Sequence, residues 1–93
     1  MSTIILQGYI LVSDDDLANV KAELLNHSLL TKQETGCLVF KVEQDALNDN
    51  KFSVYEEFID QQSFDAHQIR VKASIWGTVS KNVERYYEIS SRD

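Results

Sequence analysis

The sequence is poor in cysteine and in basic residues, and each shortage excludes a class of protein. Cys37 is the only cysteine of the 93 residues, so an internal disulfide is excluded and a reducing compartment, the cytoplasm, is expected. Nine lysines and arginines stand against fifteen aspartates and glutamates, which gives a formal charge of −6. Because such a surface repels phosphate groups, we expect no nucleic-acid partner and no binding to an anionic membrane.

Long apolar runs and cofactor motifs are also missing. The longest apolar stretches, 9–12 and 37–40, are far shorter than the roughly 20 residues that a membrane-spanning helix needs. The N-terminus lacks the basic start and apolar stretch of a signal peptide. No GxGxxG, phosphate loop, CxxC or HxxxH motif occurs, so the sequence predicts neither a nucleotide cofactor nor a bound metal.

The residues that are present predict one folded domain over 1–93. An apolar fraction of 43% and a charged fraction of 26% are typical of globular proteins. Runs of β-branched and apolar residues predict four strands, at 4–12, 37–43, 52–59 and 83–89. Apolar residues at helical spacing predict one helix up to about Lys32 and another after Asp60. The order β-α-β-β-α-β indicates an α+β, ferredoxin-like fold, with a four-stranded antiparallel sheet and the helices on one face.

Local signals mark the ends of these helices. Ser13 and Asp60 are expected to cap their N-termini. Gly36 is expected to supply a positive φ after the first helix, and Gly77 is expected to divide the second helix into two pieces.

Both faces of the predicted sheet carry apolar side chains. Alternation within the third strand places Phe52, Val54 and Phe58 on one face and Tyr55 and Ile59 on the other. Within the second strand it places Leu38, Phe40 and Val42 on one face and Cys37 and Val39 on the other. Two helices cover only one face, and a large exposed apolar surface indicates an interface. The sequence therefore predicts a homodimer. The alternative is a monomer that tolerates half-buried aromatic residues on the second face.

Four short segments occur in an order that is typical of one family. Glu34-Thr35-Gly36-Cys37 stands where the first helix meets the second strand, and His27 lies seven residues earlier. The third strand carries Glu56 shortly before Phe58, and the second helix carries an alanine-histidine step that ends at His67. Together these segments, spread over residues 4–89, resemble the antibiotic-biosynthesis monooxygenase family.

The resemblance implies a dimeric α/β barrel of two ferredoxin-like subunits, each with a pocket between helices and sheet. The family includes oxygenases that use neither metal nor flavin and act on quinols and polycyclic phenols. A cofactor-independent monooxygenase of a quinol or related small aromatic molecule is therefore the first hypothesis. Two others stay open, namely an isomerase of a phosphorylated, autoinducer-like signal and a non-catalytic dimeric binding or stress-response module. Some relatives degrade haem, for which His67 would be the axial ligand.

His67 and Glu56 are the candidate catalytic pair. His67 is the first candidate for the base, because imidazole titrates near neutral pH; the alternative is a core histidine bonded to backbone. Glu56 lies on a strand face beside Phe58, where a carboxylate is costly unless it is paired. It would orient His67 or hold a substrate hydroxyl. The alternative for Glu56 is a structural ion pair with Arg85 or Lys41.

Other residues are candidates for substrate binding, and each has a packing alternative. Trp76 would stack on a flat substrate and Phe58 would line the pocket, although both residue types are common in cores. His27 would reach the same pocket from the first helix. Tyr55, Tyr86 and Tyr87 would donate to a substrate anion, unless they pack in the dimer. Many family members carry a second histidine after the one at 67, whereas this chain has Arg70 and Lys72, which would hold an anionic group or lie in solvent.

Overall fold

Four strands rich in β-branched and aromatic residues form one antiparallel sheet in the computed structural model, which describes residues 2–93. The strands are β1 (Thr3–Leu11), β2 (Cys37–Gln44), β3 (Lys51–Phe58) and β4 (Glu84–Arg92). Their order in the sheet is β2-β3-β1-β4, so the first strand lies inside and the last strand forms an edge. The predicted ferredoxin-like α+β topology is confirmed.

Three helices lie on one face of the sheet: α1 (Asp14–Lys32), α2 (Gln61–Lys72) and α3 (Ile75–Val79). The Oδ1 atom of Asp60 accepts a hydrogen bond from the Ser63 amide at 2.8 Å, so the predicted cap of α2 is confirmed. Ser13 occupies the N-cap position of α1, but its side chain makes no cap bond. Its Oγ atom lies 3.3 Å from an Asp16 carboxylate oxygen instead. None of these helices, within residues 2–93, is long and apolar enough to cross a membrane.

The predicted roles of Gly36 and Gly77 are both wrong. Gly36 has no positive φ; in the described residues only Gly8 has one, at 152°. Gly36 is instead required by close approach, since a Cβ atom there would stand 2.1 Å from the Oγ atom of Ser63 in α2. The second helix does divide in two, but at Ala73 and Ser74, and Gly77 lies inside α3. The Ser74 side chain caps that short helix by accepting from the Gly77 amide.

A bulge changes the faces predicted for β2. The pairing with β3 shifts between Cys37 and Val39, so Leu38 is the extra residue. Leu38 is therefore exposed, whereas Cys37 packs against the core opposite Phe58. The sequence prediction, which placed Leu38 on the same face as Phe40, is wrong at this residue because it assumed unbroken alternation.

The core lies between the helices and the covered face of the sheet. It consists of aliphatic and aromatic residues from the two central strands β1 and β3, from the helices and from two positions next to strand ends: Ile4, Leu6, Ile10, Val12, Val20, Phe52, Val54, Phe58, Phe64, Trp76 and Val83. Burying such side chains contributes roughly 1.5–3 kcal/mol each. Two histidines and one glutamate are buried with them. Those three polar residues mark the candidate site.

The second face of the sheet mixes aromatic and charged side chains. Tyr9 stacks on Tyr86 with 4.9 Å between ring centroids, and the Lys51 ammonium lies over the Tyr9 ring. Tyr55 donates to Glu57, which also pairs with Arg92. This face is therefore amphipathic, less apolar than the sequence alternation predicts, because ion pairs and hydroxyl groups accompany its rings.

Candidate active site

A pocket of about 450 Å³ lies between the sheet and the helices α2 and α3. The sheet contributes Glu56 and Tyr87 to its walls, and the helices contribute His67 and Trp76. It opens along β4, all nine residues of which are exposed because the helices do not cover this edge. Its volume is within the range of small-molecule sites. The full lining is Leu6, Glu56, His67, Gln68, Val71, Lys72, Trp76, Gly77, Arg85, Tyr87 and Ile89.

His67 is held by a carboxylate from the turn before β2. Its side chain is 3% exposed, and its Nδ1 atom lies 2.9 Å from Oε2 of Glu34 and 3.2 Å from Oε1. A carboxylate only accepts hydrogen bonds, so the Nδ1 atom carries the proton in the neutral ring. The Nε2 atom then has a free lone pair, and it faces Glu56 with 3.7 Å to Oε1. This tautomer makes Nε2 the basic atom of the site.

Arg70 fixes Glu34 from the other side. Its Nε atom donates to Oε2 of Glu34 at 2.7 Å, and its terminal NH2 group donates to the Thr31 hydroxyl at 3.0 Å. Thr31 is fully buried in α1. One network therefore joins α1, the following turn and α2, and it supplies a positive counter-charge to the carboxylate that orients His67.

Glu56 is buried without a hydrogen-bond partner. It alternates with Val54 and Phe58 on the covered face of β3, and its Oε1 atom has no partner among the described residues. Burial raises the pKa of Glu56 to about 7, and the negative charge of Glu34 adds to that rise. No ion pair with Arg85 or Lys41 exists within residues 2–93, so the structural alternative for Glu56 is wrong; its nearest charge partner is His67.

The protonation states of Glu56 and His67 favour the transfer of a proton between them. Burial lowers the pKa of His67, and the hydrogen bond to Glu34 opposes that effect only in part. His67 is therefore neutral at pH 7, where about half of the Glu56 side chains carry a proton. A protonated carboxyl beside an unprotonated imidazole nitrogen is able to pass a proton in either direction. This arrangement suits general acid–base chemistry.

His27 lies behind Trp76. The two rings stack with 4.5 Å between centroids and 5° between planes, and the His27 ring is 6.0 Å from that of His67. Burial, followed by the proximity of His67, lowers the pKa of His27 to about 3, so the ring is neutral. Its Nδ1 atom has no partner among the described residues. His27 supports the tryptophan wall and does not line the pocket.

The other predicted binding residues lie at different places. The Phe58 ring is fully buried and contacts His67 at 4.8 Å between centroids, so it lies beneath the imidazole and outside the lining. Tyr55 lies on the opposite face of the sheet. The guanidinium of Arg70 is bound to Glu34 and Thr31. The structure therefore brings together Glu56, His67 and Trp76, and it separates Tyr55 from them.

Two relationships of the site were not apparent from the sequence. Glu34 does not line the pocket but orients His67, and the sequence showed it only as part of a motif, because 33 residues separate it from His67. Tyr87 was one of three tyrosines that the sequence offered as donors, and its place on the pocket side of β4, where it alternates with Arg85 and Ile89, follows from the register. The pocket walls partly desolvate the Tyr87 hydroxyl and so raise the pKa of Tyr87 to about 12, and Glu56 contributes to the rise. The Tyr87 hydroxyl is therefore a hydrogen-bond donor at neutral pH. Within residues 2–93 no three histidine, cysteine or acidic residues are grouped to hold a metal.

Comparison with known proteins identifies the family. The model of the antibiotic biosynthesis monooxygenase family matches residues 3–70, about three quarters of the chain. The chain belongs to this family. The matched range includes Glu34, Glu56 and His67, so the resemblance drawn from those segments is confirmed. Membership supports a general monooxygenase-like function. A search of curated proteins found no match to this sequence.

Solved structures share the fold at low sequence identity. A conserved protein of unknown function from Bacteroides thetaiotaomicron, suggested to be an oxidoreductase, is 14% identical; the match covers 98% of each chain with a TM-score of 0.78. A conserved protein from Methanosarcina mazei is 23% identical over 99% of this chain and 92% of its own, with a TM-score of 0.76. A candidate antibiotic biosynthesis monooxygenase from Nitrosomonas europaea is 18% identical over 100% and 97%, with a TM-score of 0.72. These likenesses show the fold.

Proposed function

We propose that this family member is a homodimeric, cofactor-independent monooxygenase of a quinol or related small aromatic molecule. The observation that carries the proposal is the meeting of Glu56 and His67 in the wall of one pocket, 3.7 Å apart and largely screened from water. Trp76 also contributes to the wall of this pocket. A buried acid–base pair beside an aromatic wall is what the oxidation of a phenolic ring requires.

The protein's part in this reaction is to move protons. The Nε2 atom of His67, directly or through Glu56, removes the proton of a ring hydroxyl, while Glu34 stabilises the resulting imidazolium through Nδ1. The Tyr87 hydroxyl is placed to donate to the phenolate. Deprotonation makes the ring electron-rich enough to give one electron to O₂.

The substrate supplies the electrons for the remaining steps. The ring radical and superoxide combine at a carbon that carries hydrogen, and the hydroperoxide then loses water to leave a carbonyl group. One atom of O₂ enters the product and the other enters water, so no external reductant is consumed. Protonated Glu56 is the donor for the departing hydroxide.

Oxygen uptake tests this reaction. The purified protein, dialysed against a chelator, is mixed with menadiol, 1,4-dihydroxynaphthalene and anthrone, and O₂ consumption is compared with that of each compound alone. With ¹⁸O₂ we expect one labelled atom per product molecule. Release of H₂O₂ with no label in the product would contradict a monooxygenase and indicate simple oxidation.

The homodimer is proposed on the second face of the sheet. Val39 and Tyr86 are 37% and 45% exposed there, and Tyr86 stacks on Tyr9. Such aromatic groups among charged ones are typical of interface surfaces. Sedimentation equilibrium measures the mass directly, and a single species of 10.7 kDa at micromolar concentration would exclude the dimer. The cytoplasmic location expected from the single cysteine stays a prediction.

A further inference from the structure

The pocket of Glu56 and His67 has a positively charged side. Lys72, from the last turn of α2, and Arg85, from β4, both line it, and both side chains belong to exposed residues. We propose that the substrate is a hydroxyaromatic acid, whose carboxylate is bound by Lys72 and Arg85 while its hydroxyl faces Glu56 and His67. This inference rests on the proposed function and names the substrate class of the same site.

Arg85 has no acidic partner among the described residues. Arg70 pairs with Glu34 and Arg92 pairs with Glu57. The guanidinium of Arg85 donates to neutral oxygens, namely the carbonyl and hydroxyl oxygens of Ser80 at 3.0 and 3.2 Å and the Val83 carbonyl at 3.4 Å, and it also interacts with the Tyr87 hydroxyl. These bonds hold the group in place at the pocket and leave its charge uncompensated. An arginine fixed in this way is suited to a carboxylate.

The charge of the pocket is opposite in sign to that of the whole protein. The chain carries a formal charge of −6, yet Glu56 is the only acidic residue of the lining, and it is partly protonated at neutral pH. Lys72 has no acidic partner within 4.0 Å among the described residues. A cationic patch on an acidic protein attracts an anion selectively to that place.

The charge of the lining favours a carboxylate over a phosphate monoester. Lys72 and Arg85 contribute two positive charges and Glu56 contributes a negative charge when it is ionised, so the lining fits a monoanion better than a dianion. The proton of the ring hydroxyl passes to His67, so formation of the phenolate leaves the net charge of the site unchanged. The hydroxyl of Tyr87 lies on the same strand face as Arg85, so it reaches the ring between the two anionic ends.

Two ring compounds that differ in one group test the inference. We measure the binding of 1,4-dihydroxy-2-naphthoate and 1,4-dihydroxynaphthalene by calorimetry without oxygen, so that no turnover is needed. We expect the acid to bind at least about tenfold more tightly at low salt, and the difference to shrink as salt is added, because partly exposed charges are screened. Equal affinity of the two compounds would overturn the proposal, as would tighter binding of 1-naphthyl phosphate than of the acid.

Variants assign the effect to the two cations. Lys72→Gln is expected to remove most of the preference for the acid, and Arg85→Lys to reduce it, because charge remains but the planar fork is lost. Lys81→Gln is the matched control, since Lys81 is exposed and lies outside the lining. Thermal melting accompanies each variant, because Lys72 also ends α2, where a positive charge stabilises the helix. An unchanged preference in both folded variants would overturn the assignment.

The binding measurement tests the substrate class, and the oxygen-uptake measurement tests the reaction, so either proposal is rejected without the other. Selective binding of the acid without oxygen uptake would retain this inference and reject the monooxygenase. Oxygen uptake with both compounds, together with equal binding affinities, would retain the monooxygenase and reject this inference. Oxygen uptake is therefore recorded with the same two compounds under air.

Discussion

Glu34 and His67 share a hydrogen bond of 2.9 Å although 33 residues separate them along the chain. Glu34 ends the turn that leads into β2, and His67 lies in the middle of α2. The bond selects the ring tautomer and so decides that the Nε2 atom faces the pocket. Glu34 acts through His67, so it is a positioning residue.

Replacement of Glu34 by glutamine tests this role. Glu34→Gln keeps the size of the side chain but removes the charge that stabilises a protonated imidazole. We expect kcat to fall about 10- to 100-fold, with the pH profile shifted because the His67 pKa is no longer raised by this partner. Nitrogen NMR of the His67 ring reports the tautomer directly. A retained Nδ1–H tautomer together with unchanged kcat would remove Glu34 from the mechanism.

Glu56→Gln is expected to lower kcat by about 10²- to 10⁴-fold, because an amide neither donates nor accepts a proton at this position. Glu57→Gln is the matched control: Glu57 is the next residue on β3 but lies on the opposite face, bonded to Tyr55 and Arg92. Oxygen uptake measures both variants with one substrate. Equal losses in the two variants would indicate a general effect on the sheet and would count against Glu56.

The raised pKa of Glu56 also predicts how stability depends on pH. The pKa is about 7 in the folded protein and 4.5 in the unfolded chain, so between these values the folded state binds more protons. Ionisation of Glu56 therefore does not lower the free energy of unfolding below pH 4.5. Between pH 4.5 and about pH 7 it lowers that free energy progressively, by roughly 3 kcal/mol in total. Urea unfolding at pH 4 and pH 8 measures the free energy of unfolding. At pH 8 this free energy should rise in Glu56→Gln relative to the wild type. A difference between the two proteins that does not change with pH is the contrary result.

His27 predicts a loss of stability in acid. Its pKa is lowered to about 3 in the folded protein, from 6.5 in the unfolded chain, so stability falls as the pH drops from 6.5 towards 3. His27→Phe keeps a ring against Trp76 and removes the titrating group. We expect it to be more stable than wild type at pH 4, by up to about 3 kcal/mol, and to differ by less than about 1 kcal/mol at pH 8. Parallel pH curves for the two proteins would exclude His27 as the source of acid sensitivity.

Gly36→Ala tests the close approach that brings Glu34 to His67. A Cβ atom at 36 would stand 2.1 Å from Oγ and 2.3 Å from Cβ of Ser63, so α2 must move away. We expect a loss of about 1–3 kcal/mol in the free energy of unfolding and a lower kcat. Ser63→Gly in the same chain removes both clashing atoms. It should restore part of each loss, and the double-mutant cycle is the measurement.

The sequence predicts the order of elements well because it depends on local patterns. Asp60 caps α2 and the apolar runs of β1 and β3 form strands, as their residue types require. Glu56 was recognisable because a carboxylate among apolar strand residues is costly. The contacts of Glu34 were not recognisable, because they depend on how the turn before β2 meets α2.

Two further features depended on geometry beyond any local window. The bulge at Leu38 is a property of the β2–β3 register, and no glycine or proline marks it. The pocket side of β4 follows from its pairing with β1, in which Gly8 lies opposite Tyr87 and Ile10 opposite Arg85. The sequence therefore predicted Glu56, His67 and Trp76 as members of the site, but it did not place β4 in the wall of the pocket.

The position of β1 has a consequence for the order in which the molecule is made. β1 pairs with β4 from Thr3 opposite Arg92 to Leu11 opposite Glu84. Because β4 is synthesised after all the other strands and helices, this edge of β1 stays unpaired until the end of synthesis. Pairings between such distant segments form slowly. During synthesis the nascent chain holds Glu56 and His67 before it holds Arg85 and Tyr87, and the binding cavity gains its last wall only when translation of β4 is complete.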